Sequence, residues 1–199
     1  MIILGITGGI ATGKSTVTQI LASFGAPIIS ADALAHRLLA PGMPTTKEVL
    51  TAFPECADPV DLTLQTLDRR ALGRLVFSDP TARLRLESLT HPAIIAALIA
   101  QREQWRNSKE SRAGAAEIPL LFEAGLEAYP DQIIVAACTE DVQIARLKVR
   151  LGIDVAEAGQ IIAAQWPLAQ KIARASVVIS TDGTLEDTRH QVQELWNSL

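Results

Sequence analysis

The chain has 199 residues, 48% hydrophobic and 20% charged, values of an ordinary globular protein with enough chain for one domain carrying an inserted subdomain. Eighteen basic and 22 acidic side chains give a formal net charge of −4. That excludes a protein that wraps duplex nucleic acid, which needs a basic face to replace phosphate counterions, but not a local basic pocket for a small anion. The longest uninterrupted apolar run, Ala93 to Ala100, is eight residues, against about 20 for a membrane span. No positive charge precedes Lys14, so no secretory signal is expected. Cys56 and Cys138 stand outside any metal-ligand spacing and read as reduced thiols of a cytosolic protein.

Ile2-Ile3-Leu4-Gly5-Ile6-Thr7 is a β-branched run ending in glycines and predicts a buried strand. Val17, Ile20, Leu21 and Phe24 then recur at helical spacing, and Gly25 and Pro27 stop that helix. Pro27 to Ser30 predicts a second strand, with Asp32 just past its end at the start of a helix from Ala33 to Leu39. Helices are expected at Thr45–Phe53, Asp68–Phe77, Pro80–Leu89 and Pro92–Trp105, with loops at Pro54–Asp61 and Asn107–Gly114. Ala115–Leu121 predicts a weak third strand, because Ala and Glu are poor strand formers. Ile133–Cys138 and Val177–Ser180 predict the fourth and fifth, and helices fill Asp141–Leu151, Val155–Gln165, Pro167–Arg174 and Leu185–Leu199. Strands alternating with helices imply an α/β fold with a parallel five-stranded sheet covered on both faces. The helical stretch between strands two and three reads as an insertion.

Gly8-Gly9-Ile10-Ala11-Thr12-Gly13-Lys14-Ser15 satisfies G-x-x-x-x-G-K-[ST] between a strand and a helix. Glycines let the backbone curl so that N–H groups point at phosphate oxygens. The helix start adds its positive dipole end. Lys14 is placed for the β- and γ-phosphates and the Ser15 hydroxyl for Mg²⁺. The chain is therefore expected to bind a nucleoside triphosphate. It carries no N-K-x-D motif of a GTPase, and a small phosphate-loop protein with a helical insertion fits a kinase of small molecules.

Asp32 follows strand two, whose end opens on the same crevice as the phosphate loop in doubly wound sheets. It is either the base that receives a proton from an acceptor hydroxyl or a helix N-cap. Arg146 and Arg150 share one helix face at i, i+4 and either clamp the phosphoryl group in transit or form a solvated charged face. Glu117 either holds the metal through water, makes a salt bridge or is a partly exposed strand residue. His91, before Pro92 at an expected helix start, is a structural or ligand-contacting group, and Arg69 and Arg70 meet acceptor phosphates or face water.

Taken in order, these residues resemble the dephospho-coenzyme A kinase family. The resemblance rests on Ile6 to Ser15, Ala31-Asp32-Ala33, Leu67-Asp68-Arg69, Val76-Phe77-Ser78-Asp79, His91-Pro92, Ile118-Pro119-Leu120-Leu121-Phe122-Glu123, Gln143 through Arg146 to Arg150, and Gln165 through Lys171 to Ala175. It covers nearly the whole chain. It implies ATP-dependent phosphorylation of the ribose 3′-hydroxyl of dephospho-coenzyme A, the last step of coenzyme A biosynthesis, with Mg²⁺ as cofactor. It also implies a phosphate-loop core at 1–32 and 106–199, a helical acceptor-binding subdomain at 33–105 and a lid at 140–165.

By the same resemblance the base falls on Asp32 and the lid arginines on Arg146 and Arg150. Nucleotide contacts extend over Gly8 to Thr16 and to Thr181. Acceptor contacts fall on Asp32, Arg69, Phe77, His91, Pro119 and Leu120. Three positions depart from the family pattern: Ser30 and Ser176 stand where acids are usual, and Thr181 where an adenine-contacting Asn is usual. A related phosphate-loop kinase acting on a nucleoside monophosphate or another hydroxyl compound is the second enzyme reading. A nucleotide-dependent switch is the non-enzyme one. The expected protein is a cytosolic monomer without nucleic-acid or membrane partners.

Overall fold

The computed structural model describes residues 1–58, 60, 66–108 and 110–199. Five strands form one parallel sheet: β1 (Ile2–Gly8), β2 (Ile28–Ser30), β3 (Ala113–Glu117), β4 (Gln132–Ala137) and β5 (Val177–Ser180), in the spatial order β2-β3-β1-β4-β5. β1 lies central, and its last residues run alongside the ends of β3 and β4, with Ile6 opposite Glu117 and Gly8 opposite Ala136. The loop that follows β1 is thus delivered at the C-terminal edge of the sheet, where α/β proteins bind ligands.

The helices are α1 (Lys14–Ser23), α2 (Ala31–Leu38), α3 (Pro44–Ala52), α4 (Arg69–Ser78), α5 (Pro80–Asn107), α6 (Glu140–Leu151), α7 (Val155–Ala163), α8 (Leu168–Ile172) and α9 (Leu185–Ser198). The chain divides into two compact units, one of Met1–Ser30 and Arg102–Leu199, the other of Ala31–Gln101. In the first, Leu4, Ile6, Ile134 and Ile179 of the sheet pack with Val17 and Leu21 of α1 and Val192 and Leu195 of α9 in a hydrophobic core. In the second, Val49, Phe53, Cys56, Leu67, Leu72 and Ala82 form a separate core. There Asp68 caps α4 by accepting the Arg70 and Ala71 amides at 2.9 and 3.0 Å.

Four expectations change. β3 begins at Ala113 and ends at Glu117 rather than running from 115 to 121. Its small residues are needed for space, because a Cβ on Gly114 would overlap the buried Trp105 ring. Beyond Ile118, whose amide donates to the Ile6 carbonyl at 2.9 Å, Pro119 has no N–H to extend the ladder. The helices expected at 80–89 and 92–105 are one, α5, with Pro92 inside it, so His91 sits in mid-helix rather than at a start. Proline there removes a helical bond and crowds the carbonyl four residues back, but Leu98 and Trp105 further along the helix are buried and hold it.

The helix after β2 begins at Ala31, so Asp32 stands within its first turn rather than capping it. Within the loop expected at 54–61, Pro54–Cys56 form a turn of 3-10 helix, while residues 59 and 61 lie outside the described residues, as does residue 109 of the loop expected at 107–114. Among the described residues no helix is long and apolar enough to cross a membrane.

Candidate active site

The segment from Gly8 to Gly13 wraps the start of α1. Gly8 has φ +151° and Gly13 φ +83°, a region open to glycine and costly for other residues. Ala11 enters it too, at φ +59°, and so carries backbone strain at the bend of the loop. Gly13 is the N-cap of α1, and among the described residues no side chain caps the helix. The first turn holds no acidic residue. By contrast α7 and α9 are closed by complete capping boxes, Asp154 with Glu157 and Thr184 with Asp187. A helix start without a side-chain cap and with its positive dipole end exposed to the loop suits an anion. The Lys14 ammonium donates to the Gly9 carbonyl at 2.7 Å, which folds it over the same loop.

Ser15 is exposed at the mouth of this loop, and its hydroxyl donates to Glu117 Oε1 at 2.9 Å. β3 delivers Glu117 to that point as its last residue, in register with Ile6 and with Ser30 of β2. A hydroxyl and a carboxylate side by side form a hard oxygen donor set that suits Mg²⁺, which takes one or two protein oxygens and fills its sphere with phosphate and water.

The guanidinium of Arg146, from α6, is directed at backbone. It donates to the Ala11 carbonyl at 3.1 Å, the Thr181 hydroxyl at 3.1 Å and the Thr181 carbonyl at 2.6 Å. The buried Thr181 hydroxyl in turn donates to the Thr12 carbonyl at 2.8 Å. Arg150 lies one turn further along α6, exposed. Thr16 follows Ser15 in the first turn of α1 and is half-buried. Ser176, another departure from the family pattern, accepts the Ile133 amide at 3.0 Å and so pins the start of β4.

The acceptor candidates divide between the two units. Asp32 is exposed in the first turn of α2. Arg69 reaches the end of that helix and donates to the His36 and Leu39 carbonyls at 2.8 and 3.0 Å, so it closes α2 instead of simply facing water. Arg70 is exposed, Phe77 is 88% exposed on α4, and His91 is half-buried. Pro119 and Leu120 belong to the turn after β3, where Thr7 donates to the Pro119 carbonyl at 3.2 Å.

Three side chains near the loop carry contacts that motif reasoning did not assign. Gln143 donates to the Ile10 carbonyl at 2.7 Å, and Gln165 accepts the Ile10 amide at 2.8 Å. Lys171, fully buried, is ion-paired with Glu123 at 2.7 Å. A lysine and two glutamines on polar helix ends give no local signal of such contacts. Only the ordered resemblance, which includes these positions, marked them.

The family model for dephospho-CoA kinase matches residues 2–187. A dephospho-CoA kinase of Geobacter metallireducens is 44% identical over 200 residues, covering 98% of this chain and 96% of that protein. A crystal structure from Thermus thermophilus aligns with TM-score 0.81 and 35% identity over 100% of this chain and 97% of its own. A dephospho-CoA kinase from Campylobacter jejuni aligns with TM-score 0.73 and 28% identity, covering 98% of each chain. This chain belongs to the dephospho-CoA kinase family, the phosphate-loop kinases that use ATP to complete coenzyme A.

Proposed function

We propose that the protein transfers the γ-phosphoryl group of ATP to the ribose 3′-hydroxyl of dephospho-coenzyme A. The observation that carries this reading is the uncapped, acid-free start of α1, with Lys14 folded over its loop and Ser15 against Glu117. The amides of Ala11 to Thr16 grip the phosphate tail, and Lys14 neutralises charge on its outer groups. Ser15, with Glu117 through water, would hold Mg²⁺, which supplies further neutralisation of the phosphates when bound. Arg146 and Thr181 brace the loop beside the nucleotide, and Arg150 adds a cation from the same helix face.

Asp32 orients the acceptor hydroxyl and takes its proton late in the transfer. A secondary alcohol is a weak acid, so orientation matters more than basicity. Arg69, Phe77, His91, Pro119 and Leu120 complete the acceptor side. The working unit is a single chain in the cytosol, with no nucleic-acid partner. Incubation with ATP and dephospho-coenzyme A, followed by mass spectrometry, tests the reading. The expected product gains one phosphoryl group on the ribose. Phosphorylation of a nucleoside monophosphate or shikimate in its place would overturn it.

A further inference from the structure

Lys171 is, among the described residues, the only lysine or arginine fully withdrawn from solvent, at 0% exposure. Burying an ammonium is costly unless partners surround it. Its Nζ faces three oxygens: Glu123 Oε1 at 2.7 Å, the Pro119 carbonyl at 3.4 Å and the Gly8 carbonyl at 3.5 Å. The two carbonyls accept hydrogen bonds from the ammonium, and the Glu123 carboxylate supplies the opposite charge. Glu123 itself has no aligned hydrogen-bond donor among the described residues, so the ion pair is what compensates its carboxylate.

The two carbonyls define what this lysine joins. Gly8 opens the phosphate loop, and Pro119 belongs to the turn after β3. The segment around Lys171 is fixed to that turn independently. Trp166 stacks on Phe122 at 6.2 Å with rings 5° from parallel, Arg174 lies over Trp166 at 5.1 Å, and Arg174 pairs with Glu127 at 3.5 Å. Gln165, from the same segment, holds the Ile10 amide. One stretch of chain, 165–174, therefore grips the phosphate loop at residues 8 and 10 and is anchored at its back.

We infer that Lys171, paired with Glu123, is a positioning residue of the nucleotide site, which fixes the Gly8 peptide so that the loop amides stay aimed at phosphate. The inference rests on the phosphate-loop reading. It is tested by measuring ATP dissociation constants and melting temperatures of the full chain. Lys171→Met leaves Glu123 buried and unpaired, so both stability and ATP affinity fall. The double variant Lys171→Met/Glu123→Leu removes both charges, and such replacements commonly restore stability.

The expected result for the double variant is a melting temperature near that of the parent with ATP binding still about tenfold weaker, the scale of one lost charge-assisted contact. Recovery of ATP affinity together with stability would overturn the inference and leave the pair a mere neutralising couple. Lys171→Arg gives a second readout that keeps the charge facing Glu123 but replaces the compact three-donor head with a rigid planar fork. ATP binding weakened at a parental melting temperature supports positioning, and unchanged binding overturns it. Failure of the parent itself to bind ATP would sink the phosphate-loop reading instead.

Discussion

Arg146 grips Thr181 at two points, carbonyl and hydroxyl, at 2.6 and 3.1 Å, and the Thr181 hydroxyl passes the connection on to the Thr12 carbonyl. With the Ala11 carbonyl also bound to Arg146, the end of β5, the middle of α6 and the phosphate loop form one polar network. The planar fork of arginine suits this job, since several N–H groups emerge at fixed angles. Arg146→Ala should therefore weaken ATP binding by about tenfold or more, as buried carbonyls lose their donors, and turnover should fall with it. Arg146→Lys should recover little. Calorimetric ATP titration of both variants checks this, and full recovery by lysine would show that charge alone matters.

A separate bracket holds the loop at Ile10, whose carbonyl accepts a hydrogen bond from Gln143 and whose amide donates one to Gln165. Gln143 is buried near the start of α6, and Gln165 follows α7. Gln143→Leu and Gln165→Leu each remove one contact on the same residue, on the two peptide groups that flank it, so their effects should not add. Each is expected to lower the thermal shift produced by ATP, and the double variant should lose less than the sum of the two. Strict additivity in a double-mutant cycle would separate the two contacts.

Much of this frame was legible in the amino-acid order because its signals are local. The glycine spacing from Gly8 to Gly13, the β-branched runs of β1 and β4, and the apolar rhythm of α1 depend on neighbours a few residues away. β3 is the opposite case. Ala113-Gly114-Ala115-Ala116 has poor strand propensity and forms a strand because β1 and β2 flank it and Trp105 covers it. Pro92 suggested a boundary that tertiary packing overrides. The brackets on the loop join residues far apart in the chain, 155 positions for Ile10 and Gln165, and no periodicity encodes such a contact.

Asp182 supplies a pH signature. Its carboxylate accepts the Thr139 amide at 2.7 Å and the Thr139 hydroxyl at 3.0 Å, tying the segment after β5 to the N-cap of α6. The amide bond first, with help from the Thr139 and Ser180 hydroxyls and Arg146, holds its pKa below the ordinary 3.8. A carboxyl lowered in the folded state adds stability above its unfolded value and loses it as pH falls through the folded one. Asp182→Ala should thus melt below the parent at neutral pH, with the gap closing below about pH 4. Melting curves from pH 7 to pH 3 check this, and a constant gap would assign the loss to packing.

Ser15 and Glu117 make the metal requirement testable apart from the rest of the site. Their 2.9 Å contact places a hydroxyl and a carboxylate together at the loop mouth. In the proposed arrangement Ser15→Ala removes a direct oxygen ligand and Glu117→Gln removes charge that acts through water. Both should raise the Mg²⁺ concentration needed for half-maximal turnover, the serine variant more, by about tenfold. Titration of Mg²⁺ at saturating ATP measures it. An unchanged requirement in Glu117→Gln would reduce Glu117 to a partner of the serine hydroxyl.

Asp32 is the sharpest test of the chemistry. It stands exposed in the first turn of α2, two residues past the end of β2. A carboxylate at that position can accept a hydrogen bond from an alcohol, and the positive end of the helix favours negative charge there. Asp32→Asn preserves size and polarity but cannot take the proton. Turnover should fall about 10²–10⁴-fold, the range for loss of a general base. ATP affinity should be nearly unchanged, because no loop contact involves this side chain in the proposed arrangement. Steady-state kinetics alongside ATP titration separate the two quantities. Near-parental turnover would remove Asp32 from the reaction, and a parallel loss of ATP binding would move it to the nucleotide side.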